Sequence, residues 1–138
     1  MIKLLDSGYD KEEGVSYVTI ETEIGNFDGY AFLHPEDEMI ESSFLGCEIA
    51  EYRATIEYFK KKLRTLNIEI KTLENLRKDF KNTYKEDYHD CEILERRMEQ
   101  KLIQKKEYEM IIYSLKKSID LKVDNRIEVL KKFDKKKE

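Results

Sequence analysis

Apolar and polar residues alternate along residues 15–33, which is the period-two pattern of half-exposed β-strands. A short apolar run at residues 2–5 precedes them, and the segment SGYDKEEG is typical of a turn. Gly25-Asn26 separates the two alternating segments and suits the centre of a type II′ hairpin turn. We therefore predict a three-stranded antiparallel meander. In its second strand, one face would carry Val18, Ile20, Thr22 and Ile24, and the other face would carry Val15, Tyr17, Thr19, Glu21 and Glu23. In its third strand, one face would carry Phe27, Gly29, Ala31 and Leu33, and the other face would carry Asp28, Tyr30 and Phe32.

After Gly46 the apolar positions change to alternating three- and four-residue spacing, and neither Gly nor Pro occurs again. Such spacing, sustained over about five heptads, indicates a coiled-coil helix. An apolar seam of this kind supports helix pairing and self-association. The predicted seam residues are Ile49, Tyr52, Ile56, Phe59, Leu63, Leu66, Ile70, Leu73 and Phe80.

The seam turns polar at residues 81–90, where the segment from Thr83 to Glu86 resembles a capping box. We favour a turn there, followed by a second helix to about Phe133. One uninterrupted helix is the alternative, because the seven-residue register of the first seam continues through Cys91 and Ile119. The inner face of a second helix would carry Leu94, Met98, Leu102, Tyr108, Ile112, Leu115, Ile119, Val123, Ile127 and Leu130.

These patterns predict an α+β protein in which a small three-stranded antiparallel sheet packs on a long α-helical hairpin or coiled coil. Residues 1–44 would form an acidic β-meander head with the start of a helix, because Pro35 and the acids that follow it suit a first helical turn. Residues 45–138 would form a helical stalk with a turn near 81–90 and a frayed basic tail. The sheet needs a helix across one face to be stable.

Charge is divided unevenly along the chain. Residues 1–52 contain thirteen Asp or Glu and two Lys, a balance of −11, whereas residues 53–138 carry +7, which gives the net charge of −4. Such asymmetry affects the choice of partner rather than the fold. The head should repel nucleic acid, whereas the stalk could attract it.

Localisation signals are not evident in the sequence. No apolar run reaches the roughly 18–20 residues needed to span a bilayer, so we expect no membrane association, and the N-terminus lacks the apolar stretch of a signal peptide. Cys47 and Cys91 lie far apart in the sequence. We expect reduced thiols in a cytoplasmic protein, with one disulfide between two helices as the alternative.

Catalytic signatures are absent from the sequence, which has no GxGxxG, P-loop, GxSxG or HExxH motif. His34 suits a capping or surface role, and the acids and cysteine around His89 would point in different directions on a helix. Consecutive acids at residues 36–38 are weak evidence for a magnesium site. We therefore expect a protein that is not an enzyme and that has no catalytic residues, no cofactor and no metal.

The acids of the head are dense enough to form an interaction surface, although solubility explains their number equally well. With Glu21 and Glu23, they suit a partner with a groove lined by Arg and Lys, of the kind that normally receives nucleic acid. The predicted partner-binding residues are Asp28, Tyr30, Phe32, Glu36, Asp37, Glu38 and Glu41.

The segment GNFDGYAFLHPEDEMIESSFLGCEIAEYRATIEYFKKK resembles small accessory proteins that are encoded by phages and prophages of low-GC Gram-positive bacteria. The matching pattern is GxFxGxAxLHPED followed by SxFxGCxIAEYRA and a Lys-rich helix, and it covers residues 14–65. The resemblance carries no known activity and no functional residues. It implies an accessory protein of a mobile element that acts inside the bacterial host, a class that includes proteins that bind and block host defence machinery.

These observations lead to two function hypotheses. The first is a non-enzymatic inhibitor, similar in action to anti-CRISPR proteins, whose acidic head occupies a basic groove in a host nucleic-acid-handling defence complex, for example a Cas nuclease. The second is a coiled-coil adaptor, scaffold or nucleic-acid-binding accessory that acts through the basic stalk. A homodimer is expected in either case.

Overall fold

The computed structural model describes the backbone of residues 2–32, 42–83 and 88–137. Side chains are described at 2–32, 44–82, 92–128 and 131. The chain forms three strands, β1 (Lys3–Asp10), β2 (Val15–Thr22) and β3 (Gly25–Phe32), followed by two helices, α1 (Ser42–Thr83) and α2 (Tyr88–Lys137). The predicted α+β class is confirmed. Pro35, which we placed in a first helical turn, lies outside the described residues.

The three strands form one antiparallel sheet in the order β1-β2-β3. The predicted first strand was too short, because the ladder continues to the pair of Asp10 with Val15. The predicted turn at Gly25-Asn26 was wrong. Thr22 pairs with Gly25 across the ladder, so the two loop residues are Glu23 and Ile24. The Thr22 hydroxyl donates to the Gly25 carbonyl at 2.7 Å, and Gly25 adopts a φ of 128° that suits glycine.

Helix α1 packs across one face of the sheet, which we call the inner face. Val18, Ile20 and Ala31 are almost completely buried there. Gly29 lets the helix come close, because a Cβ atom added at this position would lie 2.6 Å from the Ala54 amide nitrogen. On α1, Ala50 and Ala54 are fully buried. The core therefore depends on a glycine facing two alanines.

Three further contacts attach the sheet to α1. The Tyr58 hydroxyl donates a short hydrogen bond to the Glu23 carboxylate, and the Tyr58 and Phe27 rings meet edge to face with centroids 5.7 Å apart. Near the other end of the sheet, the Cys47 sulfur lies 3.8 Å from the Gly8 carbonyl oxygen. Cys47 is a free thiol.

The fold divides into two compact units, one of residues 1–58 and 112–138 and the other of residues 59–111. In the second unit the helices run antiparallel. The Phe59 ring of α1 and the Tyr108 ring of α2 have centroids 5.8 Å apart. Further along α1, the Glu69 carboxylate lies 2.6 Å from the ammonium of Lys101, which precedes Tyr108 in α2. The chain therefore reverses between the helices, and a single uninterrupted helix is excluded. Residues 84–87 lie outside the described residues.

In the first unit, α1 is also joined to α2. The Lys122 ammonium donates to the Glu48 carboxylate at 2.8 Å and lies 5.7 Å from the centre of the Tyr52 ring. The hydrogen bond from Lys122 to Glu48 is the main reason why the pKa of Lys122 is raised above its ordinary value of 10.5. The contact joins the beginning of α1 to the C-terminal half of α2.

The predicted seam of α1 is covered within a single chain. Five seam residues are buried and the other four are half-buried, so a second copy that used this seam would compete with the chain's own packing. The buried seam residues are Ile49, Ile56, Leu66, Ile70 and Leu73, and the half-buried ones are Tyr52, Phe59, Leu63 and Phe80.

The inner face predicted for α2 is correct only in part. Met98, Ile112 and Ile119 are buried, but Leu102, Val123 and Ile127 are 47%, 38% and 44% exposed. Each four-residue step along a helix overshoots a full turn by about 40°. Residues connected by such steps therefore leave the buried face. Leu130 lies outside the described side chains.

Candidate functional site

The candidate site is the outer face of the sheet, the face that points away from α1. Asp28, Tyr30 and Phe32 alternate along β3 with the buried Gly29 and Ala31, so all three predicted residues lie on this face. All three are exposed, Tyr30 to 50% and Phe32 to 78%. The other predicted partner-binding residues, Glu36, Asp37, Glu38 and Glu41, lie outside the described residues.

The register of the sheet extends this face across all three strands. Side chains of directly paired residues lie on the same face, about 4.5–5.5 Å apart. Tyr30 and Phe32 therefore stand beside partners on β2, and these stand beside residues of β1. The three rows are Gly8·Tyr17·Tyr30, Asp10·Val15·Phe32 and Asp6·Thr19·Asp28.

Tyr17 also lies on this face, although it is not among the predicted partner-binding residues. Its ring lies across Gly8, because a Cβ atom added to Gly8 would lie 2.6 Å from Tyr17 Cζ. The glycine thus leaves room for the ring on the surface of the sheet. Tyr17 is half-buried and pairs with Tyr30, so aromatic side chains occupy neighbouring positions on two strands.

Carboxylates lie beside the aromatic residues of the outer face. Asp6, Asp28 and Glu21 are exposed, and none of them has an ion-pair partner among the described side chains. The Thr19 hydroxyl donates to the Asp28 carboxylate at 2.6 Å and so fixes its position. Among the described residues of the three strands, the only base that faces the same way is Lys3, which lies opposite Glu21 in the strand register. The outer face is therefore negatively charged.

Two other acids near the sheet are already used within the chain. Asp10 accepts hydrogen bonds from the backbone amides of Glu12 and Glu13, at 3.0 and 3.4 Å, and so stabilises the β1–β2 turn. Glu23, which the sequence places in the predicted acidic surface, lies in the β2–β3 loop and accepts a hydrogen bond from Tyr58. It therefore belongs to the contact between the sheet and α1.

Aromatic rings beside carboxylates form a surface that suits cations. An Arg guanidinium stacks on aromatic faces and makes paired hydrogen bonds to carboxylates, and Lys does so less specifically. The outer face offers both kinds of partner at cross-strand distances. Its chemistry is therefore complementary to Arg and Lys side chains.

The two helices offer a second, weaker candidate surface. Tyr113 is 66% exposed, and Lys116 and Lys117, three and four residues further on, are exposed on the same side of α2. The lysine run at residues 60–62 is less available, because Lys62 lies 5.2 Å from the centre of the Tyr108 ring. An open groove of about 310 Å³, lined by Leu76, Phe80, Ile93, Leu94 and Arg97, lies between the helices of the second unit.

No protein-family model, curated protein or solved structure matches the chain. Within the described residues, no group of three or more His, Cys, Asp or Glu side chains could hold a metal ion. Neither described helix has a stretch long and apolar enough to cross a membrane. His34 and the side chains of His89 and Cys91 lie outside the described set.

Proposed function

We propose that the protein is a non-enzymatic inhibitor whose acidic outer sheet face occupies a basic groove in a host nucleic-acid-handling defence complex, for example a Cas nuclease. The observation that carries this proposal is the placement of Asp28, Tyr30 and Phe32 on one exposed face with Asp6 and Tyr17 beside them. The resemblance of residues 14–65 to accessory proteins of phages and prophages supports the intracellular bacterial context.

The mechanism is electrostatic capture followed by desolvation of the aromatic residues. Carboxylates that have no ion-pair partner among the described side chains attract a basic groove at a distance and raise the association rate. Once docked, Tyr30 and Phe32 supply apolar area, and aromatic residues are enriched among those that dominate binding energy at interfaces. The groove would then be unable to bind its own nucleic acid.

The proposal predicts a specific sensitivity to substitution. Asp28→Lys reverses a charge on the outer face in the middle of β3, and Tyr30→Ala with Phe32→Ala removes the apolar contacts. Glu109→Lys is the matched control, because it makes the same charge change at an exposed position on α2. Truncation of an aromatic residue that dominates an interface costs about 2 kcal/mol or more, roughly a thirtyfold loss of affinity.

The test is a phage-plating assay in bacteria that express an active CRISPR nuclease together with this protein or a variant. We expect the unmodified chain and Glu109→Lys to restore plaque formation, and the two outer-face variants to restore much less. Binding of the purified nuclease should weaken as salt rises, because screening shortens the range of the attraction. No restoration by the unmodified chain with any nuclease type tested, or equal restoration by all variants, would refute the proposal.

A second candidate function is nucleic-acid binding by the helices, as part of an adaptor or scaffold. The exposed group of Tyr113, Lys116 and Lys117 favours it, because aromatic stacking together with Lys contacts to phosphate is a common mode of single-strand binding. A mobility-shift assay with single-stranded and duplex DNA separates the two functions. A shift that Lys117→Glu abolishes and Asp28→Lys leaves intact would favour this second function.

A further inference from the structure

The sheet has two edge strands, β1 and β3, and their unpaired edges differ in exposure. At β3, the Arg53 guanidinium from α1 donates to the Tyr30 carbonyl oxygen at 2.8 Å, so a charged side chain occupies this edge. At β1, residues 3–7 are exposed, with Leu4 and Leu5 at 53% and 52%. No further strand pairs with β1 within the described residues. An exposed edge strand of this kind is a template for strand addition.

The sequence of β1 is complementary to itself when two copies run antiparallel. If Ser7 faces Ser7 of the second copy, Asp6 faces Gly8 of the second copy. Because the ladder with β2 skips Leu5 as a bulge, the pairs that follow are Leu4 with Tyr9 and Lys3 with Asp10. On each side of the two-fold axis, the two copies then form one ion pair and one apolar pair with each other.

The bulge brings these pairs onto matching faces. Lys3 and Asp10 both lie on the outer face, since they pair with Glu21 and Val15. Leu4 and Tyr9 both lie on the inner face, because they pair with Ile20 and Ser16. Without the skipped residue, one member of each pair would point to the wrong side of the sheet. Opposite charges therefore meet at the outermost pair on each side of the axis, and apolar residues meet at the pair next to it.

We propose that a second copy of this chain adds to the free edge of β1, antiparallel and with Ser7 at the two-fold axis, to form a continuous six-stranded sheet. This inference does not rest on the proposed function, because it concerns the edge and not the face of the sheet. It assigns self-association to β1 rather than to the seam of α1, which the chain covers itself.

Charge exchange between copies tests the pairing. Lys3→Glu places Glu against Asp10, and Asp10→Lys places Lys against Lys3, so each variant alone has two repulsive pairs across the axis. A mixture of the two variants restores both ion pairs in the heterodimer. Lys11→Glu is the control, because it changes the same charge in the exposed turn after β1.

The measurement is sedimentation equilibrium of each chain and of the mixture, with circular dichroism to verify folding. We expect a dimer for the unmodified chain and for Lys11→Glu, and dissociation constants that are about tenfold higher for Lys3→Glu and Asp10→Lys, corresponding to about 1.4 kcal/mol. The mixture should recover the original constant. A monomeric unmodified chain, unchanged constants, or a mixture as weak as its components would overturn the proposal.

A crosslink keeps the test decisive if Asp10→Lys disturbs the turn. Residues paired directly across antiparallel strands have Cα atoms about 4.5–5.5 Å apart, within the usual disulfide range. In a background of Cys47→Ser and Cys91→Ser, we expect Ser7→Cys to form a covalent dimer under mild oxidation and Lys11→Cys to remain largely monomeric. Equal crosslinking of the two variants would overturn the pairing through Ser7.

Discussion

Replacing Gly29 by Ala should destabilise the protein more than any other single-methyl addition on the sheet. The added Cβ would lie 2.6 Å from the Ala54 amide nitrogen and 2.9 Å from the Ala50 carbonyl carbon, with the Ala50 carbonyl oxygen closer still. These neighbours are backbone atoms of a helix and cannot rotate away. The sheet and α1 must separate, which opens the contacts of Val18, Ile20 and Ala31.

The magnitude follows from the cost of overpacking. An extra methylene in a packed core costs about 1–3 kcal/mol, and the rigid backbone partners place Gly29→Ala at the upper end, about 3 kcal/mol. For a domain of this size that corresponds to a melting temperature lower by roughly 10 °C. Ala50→Gly should not rescue the variant, since it removes a methyl group and leaves the carbonyl in place.

The assay is urea and thermal unfolding followed by circular dichroism. Asn26→Ala, at an exposed position of the same strand, serves as the control and should change the free energy of unfolding by less than about 0.5 kcal/mol. If Gly29→Ala melts within about 2 °C of the unmodified chain, the close approach of α1 to β3 is refuted.

Three further predictions concern single contacts, each measured by unfolding. Tyr58→Phe removes the hydrogen bond to Glu23 and should cost about 1–2 kcal/mol. A double-mutant cycle with Glu23→Ala, which removes the acceptor, should show coupling of at least about 0.5 kcal/mol; additive effects would count against the contact. Lys122→Met should cost at most about 1 kcal/mol at pH 7, because the pair with Glu48 is partly solvent-screened. Because the folded-state pKa of Lys122 is raised, the stabilisation by this ion pair is fully present below pH 10.5 and is lost as the pH rises through the folded-state pKa. If the unmodified chain stayed more stable than Lys122→Met at higher pH, the stabilisation would not come from the ion pair. Ser16→Ala should be neutral or stabilising by about 1 kcal/mol, because the buried Ser16 hydroxyl has no hydrogen-bond partner among the described residues; a loss of 1 kcal/mol would show that the hydroxyl is paired.

Hydrophobic spacing was enough to predict the seam of α1 and the alternation of β2 and β3. Each of these elements buries one continuous face, and a single buried face leaves a periodic signal in the sequence. The reversal between the helices was also predictable, because the seam turns polar over residues 81–90. The ends of β1 and the β2–β3 loop were not, since the register of the ladder decides them rather than local turn residues.

The second buried face of α1 could not be predicted from the heptad pattern. Ala50, Ala54 and Tyr58 recur every four residues and are almost fully buried, but they lie outside the heptad seam. Small residues give little hydrophobic signal, and their burial depends on Gly29 of a different element. The available clue was the pairing of a strand glycine with alanines spaced by one helical turn.

The candidate face was predictable only in part, for a related reason. Alternation along β3 placed Asp28, Tyr30 and Phe32 together without knowledge of the neighbouring strands. The addition of Tyr17 and Asp6 required the register of all three strands. Alternation describes one strand at a time, whereas a binding surface is defined across strands.

The contact between Arg53 and the Tyr30 carbonyl has a consequence for the size of any assembly built from this sheet. A sheet with two free edges can add copies without limit, as fibrils do. With β3 shielded by a guanidinium, the β1 edge is the one left open among the described strands, and a symmetric pair covers it in both copies at once. Growth then stops at two chains, and loss of the Arg53 side chain would remove this barrier to polymerisation.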